Sequence, residues 1–318
     1  MNEYTDSASR SGQRNFTGDD RALFLTNFGG LVITAYLEAM DYQSLRWLKH
    51  ITSGKSDLFP IIGRKRDAAE HTPGDLIVGG KVEHDDKEIT VDRMLFDSAF
   101  IPEIDELLNH IEVRGPYAQQ IGQSLGVLTA KRIAIMHILA SRDTDNGPGQ
   151  PVPSYSWDAN MRTSATAIET AAFAAKEYFM VNDMSGNAPE LRLPAQQYLL
   201  CARNLGLQST DVSRPEAGSG NRVTAKLGQI GGIDPVATNH IPKVNITTGL
   251  AKYQGDFTNT VGHISSKMAV GTLERKPITI TMKEQAERLG TIIIGSKLDG
   301  HGKLRSECAY ELATTVRA

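Results

Sequence analysis

Between positions 143 and 153 the sequence carries Asp143, Asp145, Asn146, Gly147, Pro148, Gly149, Pro151 and Pro153, and this break constrains the fold more than any other feature. No helix and no central strand accepts such a density of missing donors and forced backbone angles, so the chain divides there. Just before the break, Pro116 stands where a first helical turn tolerates proline and opens a helix to about Ala140. At 100° per residue, Ile121, Leu125, Leu128, Ile135 and Leu139 share one narrow face. The helix would be about 37 Å long at 1.5 Å per residue. Arg132 projects onto that same face, where it either snorkels or forms a buried inter-subunit ion pair. Upstream, Pro102 and Glu103 can start a short helix carrying Ile104, Leu107, Leu108 and Ile111.

After the break an alanine-rich helix spans 164–179, Leu191-Arg192-Leu193 reads as a strand, and Pro194 opens a helix to about Asn204, an α/β layer. The glycine-rich 218–232 is a loop region, and 234–244 alternates polar and apolar residues. The chain then turns β-like. Ile278, Ile280 and Met282 share one face against Thr279 and Thr281, and 291–294 follows Gly290 as a buried strand. Gly300 and Gly302 flank His301 at an expected turn, and 309–315 supplies a last strand that would fold back onto the long helix. A chain of 318 residues exceeds the usual domain size of roughly 100 to 150 residues. The expectation is an α+β protein whose first unit is left near Arg142 and re-entered near Met268, giving two interleaved domains.

Residues 1–18 have too few apolar groups to repay the entropy of ordering them and read as a flexible arm. From Arg21 the chain is apolar, but Gly29-Gly30 interrupts it, so 21–51 is expected to alternate short helical pieces such as 34–40 with polar breaks. Such a segment suits an arm lying over other subunits or a small N-terminal subdomain. Strands are expected at 59–63 and 88–95, joined by a mixed-charge span that includes Arg64, Lys65, Arg66, Asp67, Glu70, Lys81, Glu83, Asp85, Asp86 and Lys87. An isolated hairpin of this kind is marginal in water. Its composition is that of an element expected to lie on a neighbour, with an ordinary solvated hairpin as the alternative, and the first reading makes Arg64, Arg66, Asp67, Glu70, Asp85 and Lys87, with Arg132, the candidate inter-subunit contacts.

The composition excludes several other functions. Lys plus Arg number 34 against 37 Asp plus Glu, a formal charge of -3, so the basic excess needed to grip phosphates is missing. Cys201 and Cys308 have no partner at metal-ligand spacing and read as reduced, small apolar residues. No uncharged apolar run approaches the ~20 residues that cross a bilayer, and no membrane partner is expected. Gly54-Lys55-Ser56 ends like a phosphate loop, but Lys49 stands where that motif needs its first glycine. The glycines at 218 and 220 are followed by Val223 where a dinucleotide fingerprint needs its third glycine. The eight histidines show no paired metal spacing, and no nucleophile elbow or carboxylate pair is present. No catalytic residue, cofactor or metal site is expected.

One resemblance gives these readings a frame. Ala22-Leu23-Phe24-Leu25-Thr26-Asn27-Phe28-Gly29-Gly30-Leu31-Val32-Ile33-Thr34-Ala35, then Ile51-Thr52-Ser53-Gly54-Lys55-Ser56-Asp57-Leu58-Phe59-Pro60-Ile61-Ile62-Gly63-Arg64, resembles the N-terminal region of major capsid proteins of short-tailed (podovirus, Autographivirus-type) phages. Asn109-His110-Ile111-Glu112-Val113-Arg114, Gln120-Ile121-Gly122-Gln123-Ser124-Leu125 and Gly300-His301-Gly302-Lys303-Leu304-Arg305 follow in the family's order. The resemblance implies the Hong Kong 97 type phage capsid fold: an N-terminal arm (1–58), an E-loop (59–95), a peripheral domain (96–142 and 268–318) with a spine helix at about 116–140, and an axial domain (143–267). It also implies a coat protein assembling with itself as hexamers and pentamers into an icosahedral head. The implied partners are a scaffolding protein, a portal at one vertex and packaged double-stranded DNA held without sequence-specific binding. Assembly would take place in the host cytoplasm. The alternative with the same architecture is the shell protein of a cellular nanocompartment.

Overall fold

The computed structural model describes residues 20–317 apart from 64–67, 69, 75, 78, 80, 103–113, 145–148, 185–187 and 205–226, with side chains from Gly30 onward except that of Arg114. The expected arm at 1–18, the short helix after Pro102 and most of the glycine-rich loop lie outside these residues.

A single helix, α1 (Asp20–Ala39), runs without a break through Gly29-Gly30. This corrects the expected alternation of short pieces. A glycine costs a helix only about 1 kcal/mol, and burial outweighs it. Val32, Ala35 and Tyr36 are buried against the long helix α2 (Arg114–Ser141). The two helices meet backbone to backbone. A Cβ on Gly122 would stand 2.3 Å from the Val32 carbonyl oxygen, and one on Gly126 would stand 2.8 Å from that of Tyr36. Met40, Tyr42 and Leu45 then plug the same core. Val32, Tyr36, Met40, Tyr42 and Leu45 therefore belong to the subunit's own core, while Leu31, Ile33 and Leu37 on the same stretch are exposed.

The strands follow as β1 (Trp47–His50), the hairpin β2 (Ser56–Ile62) and β3 (His84–Thr90), and β4 (Leu95–Pro102). Beyond the break come β5 (Ser154–Trp157), α3 (Ala165–Val181), β6 (Glu190–Leu193), α4 (Ala195–Arg203) and β7 (Asp234–Ala237). The short β8 (Asn245–Ile246) and β9 (Gly255–Asp256) precede β10 (Thr260–Ser265), the long hairpin β11 (Val270–Gln285) and β12 (Gly290–Lys303), and β13 (Ala309–Ala313). Ser164 caps α3 by accepting from the Ala167 amide, and Pro194 heads α4 as expected.

Two larger sheets result, one ordered β1-β11-β12-β4 and the other β5-β13-β10-β6-β7, beside the two-stranded β2-β3 and β8-β9. α2 spans both larger sheets. Near its start Ile121 packs where a Cβ on Gly295 of β12 would fall, and just past its end Arg142 reaches Glu311 of β13. Its second half is buried on nearly every side, through Ala130, Ile133, Ala134, Met136, Ile138 and Ala140, so its length and apolarity are those of a core helix. Leu128, expected on the packed face, is 40% exposed.

Pro102 is the last residue of β4. Two strand readings are corrected. Residues 300–302 lie inside β12, without a turn. The glycines there admit the crossing β3, since a Cβ on Gly300 would stand 2.1 Å from the Thr90 carbonyl oxygen and one on Gly302 2.8 Å from Ile89. β13 does touch α2, but it pairs between β5 and β10 in the second sheet rather than completing the first.

Candidate inter-subunit surface and its internal supports

The hairpin β2–β3 is paired antiparallel from Ser56 opposite Thr90 to Ile62 opposite His84. Its root has a small core after all. Phe59, Ile89 and Val91 pack with Leu273 of β11 and Leu304 past β12, and Lys49 pairs with Asp57 at 2.7 Å. Beyond Gly63 the connecting strap leaves that support. Leu76 is 88% exposed and Ile77 78% exposed, a pair of large apolar side chains at the far end of a charged strap.

The predicted contact residues distribute unevenly. Arg64, Arg66 and Asp67 lie outside the described residues, and Glu70 is exposed on the strap. Asp85 and Lys87 face one another along β3 at 3.7 Å. The polarity reading selected charges and passed over Leu76-Ile77, although an apolar pair set among turn and charged residues is itself a sequence signal of a covered position.

Arg132 is part of a cluster inside the subunit. Its partner is in the same chain. Arg132 Nη1 lies 3.4 Å from Asp92 Oδ2, on the linker from β3 to β4, and its guanidinium stacks 5.3 Å from the Tyr253 ring centre. Asp92 is nearly fully buried, pairs with Lys252 and accepts from the Tyr253 hydroxyl at 2.5 Å. These contacts form an internal clamp that ties α2, the hairpin root and the loop before β9.

Next to this clamp runs a buried polar seam that the sequence reading missed. Lys297, Asp299 and His301 alternate along β12 and all three are buried. Lys297 Nζ lies 2.8 Å from Asp299 Oδ2 and 3.6 Å from Glu274 Oε1, and it donates to the Tyr36 hydroxyl of α1. Burial alone would lower the lysine pKa, but Asp299 and Tyr36 hold it above the ordinary value. Burial alone would likewise raise Asp299, and its cationic neighbours pull it below the usual carboxylate range. His301 shares Thr272 Oγ1 at 3.0 Å, and burial pushes it down to about 3, so it is neutral at pH 7 and Lys297 supplies the local positive charge. A second clamp joins the end of α2 to β13, where Arg142 and Arg317 both bind the Glu311 carboxylate, at 2.6 and 2.8 Å.

The arrangement is mechanical: a projecting strap on a root held by buried charges. Cys201 and Cys308 are buried and form no disulfide, and among the described residues no group of His, Cys, Asp or Glu is set to hold a metal. Residues 58–313 match the family of Gp10A-like major capsid proteins. The chain belongs to this capsid protein family. The capsid protein is 28% identical to the major capsid protein of Escherichia phage T7, over 92% of each chain. The solved capsid structure of the cyanophage P-SCSP1u superposes with a TM-score of 0.77 at 26% identity, covering 87% of this chain and 89% of that one. The mature capsid of bacteriophage PhiM1 gives 0.71 over 88% of each chain at 18% identity, a likeness of fold alone. The fold is thus the Hong Kong 97 type expected of phage capsid proteins. The protein is a structural subunit of the virion shell, not an enzyme, and the family match sets the nanocompartment alternative aside.

Proposed function

We propose that the subunit assembles as hexamers and pentamers into an icosahedral head, with the strap between β2 and β3 lying on an adjacent subunit. The observation carrying this reading is the exposure of Leu76 and Ile77, since a side chain of that size at the end of a strap gains its burial only from another chain. Glu70, Asp85 and Lys87, with Arg64, Arg66 and Asp67, form the polar rim of that contact, and Arg132 supports it from inside. Many weak, repeated contacts of this kind permit correction during assembly and sum to a stable shell. The first sheet with the spine helix α2 makes the peripheral domain. The second sheet with α3 and α4 makes the axial domain, to which β13 contributes. A scaffolding protein and a portal at one vertex act during assembly in the host cytoplasm, and the shell holds double-stranded DNA without sequence-specific binding, in keeping with a charge of -3.

The test is Leu76→Ser with Ile77→Ser, together with replacement of 67–82 by a short Gly/Ser turn. Both should keep the wild-type urea midpoint and yield few or no shells by negative-stain microscopy. Normal particles from both would remove the strap from the assembly mechanism.

A further inference from the structure

Three rings from three distant parts of the chain are stacked at the centre of the subunit. Tyr42 comes from the segment linking α1 to β1, His137 from α2 and His263 from β10, and all are fully buried. The two imidazoles lie almost parallel, 6° between planes and 5.1 Å between centres, and Tyr42 stacks on both at 6.0 and 5.7 Å. Two of its polar links run to the 40–46 segment, while others tie it to Ser265 of β10 and Thr238 past β7. His137 Nε2 donates to the Leu45 carbonyl at 2.9 Å, the Tyr42 hydroxyl and His263 Nε2 share a hydrogen bond at 3.0 Å, and His263 Nδ1 shares one with Ser265 Oγ at 3.0 Å.

The donor role of Nε2 fixes the His137 tautomer and leaves its Nδ1 bare, and that buried atom has no partner. The charges facing the stack offer a second proton no compensation. From β6, the Arg192 guanidinium lies 5.0 Å from the Tyr42 ring centre, already bound to Glu190 at 2.5 Å and to Ser44 at 3.1 Å. From the segment itself, Asp41 is turned to His240 at 3.6 Å. A His137 imidazolium would aim its new N–H at no acceptor, and an imidazolium on either ring would lie beside Arg192 and another imidazole.

We propose that the Tyr42–His137–His263 stack is an acid-sensitive latch that holds the segment between α1 and β1 against the spine helix and the second sheet. Burial keeps His137 down at about 3 and His263 well below its ordinary value, whereas both titrate near 6.5 once the segment opens. The open form therefore binds more protons, and opening becomes easier as pH falls below about 6.5. Two rings give an opening constant that rises on the order of a hundredfold per pH unit below about 5.5, and one ring about tenfold.

The test is hydrogen exchange of the full-length, unassembled chain between pH 7 and 5, corrected for intrinsic rates, followed on peptides covering 40–46, with the interior of α3 as reference. The expected result is loss of protection at 40–46 approaching a hundredfold per unit while α3 stays protected. In His137→Gln, whose amide still donates to Leu45, the slope should fall to about tenfold. Protection at 40–46 that stays flat with pH overturns the latch, as does an unchanged slope in the variant. If the variant fails to fold, the wild-type slope decides alone. Shell formation plays no part in the readout, so the result is independent of how the strap contacts its neighbour.

Discussion

Replacing Lys297 by methionine isolates the contribution of the seam inside β12. The ammonium is 1% exposed and touches two carboxylates. Of these, Glu274 keeps a second partner in His50 at 3.1 Å, but Asp299 is 0% exposed and left beside a neutral His301. At an effective dielectric of about 20, unit charges 2.8 Å apart attract by about 6 kcal/mol, and relaxation recovers part of that loss. Breaking one side of a buried pair typically costs about 3–5 kcal/mol, and Lys297→Met is expected within that range. Converting both partners, Lys297→Met with Asp299→Leu, should recover most of the loss, because a desolvated pair is close to neutral against apolar residues of similar volume. Urea denaturation of the soluble subunit followed by circular dichroism supplies the values for a double-mutant cycle. The single-mutant defect should also shrink on acidification. Without Lys297, burial dominates and raises the Asp299 pKa, so a proton can neutralise it. A loss under 1 kcal/mol in the single variant, or a double variant as unstable as the sum of both singles, refutes the argument.

Two further predictions concern the root of the strap. Arg132→Met leaves Asp92 with Lys252 and Tyr253, so the subunit should lose about 1–3 kcal/mol of folding stability while still forming shells; unchanged urea midpoints with failed assembly would restore an inter-subunit role. Gly300→Ala sets a Cβ against the Thr90 carbonyl and should cost about 1–3 kcal/mol as overpacking. It should also speed protease cleavage within 63–83 relative to wild type, and an unaltered cleavage rate would show that β3 yields without loosening the root.

What the sequence alone determined was local. Pro116 and the break after Arg142 fixed the spine helix to within two residues, Ser164 and Pro194 placed two helix starts, and the alternation of 278–282 marked β11. In each case the cause lies within a few residues of the effect: a locked φ, a capping hydroxyl, a period of two. The candidate surface was legible only as a charged span between two strands, and its apolar tip and its internal root were not. Only the tertiary structure decided the remainder, because the deciding partners lie outside the local stretch, as Arg132 and Asp92 do at a separation of 40 residues and Lys297 and Tyr36 at 261. Gly29-Gly30 stays helical because α2 buries the next turn. Gly300 and Gly302 are strand residues because β3 passes over them. Arg132 finds Asp92, and Lys297 and Asp299 neutralise one another on a strand face that polarity alone would assign to solvent. A single sequence reports the polarity of each side chain, but not whether a distant opposite charge, a ring or a backbone will be there to meet it.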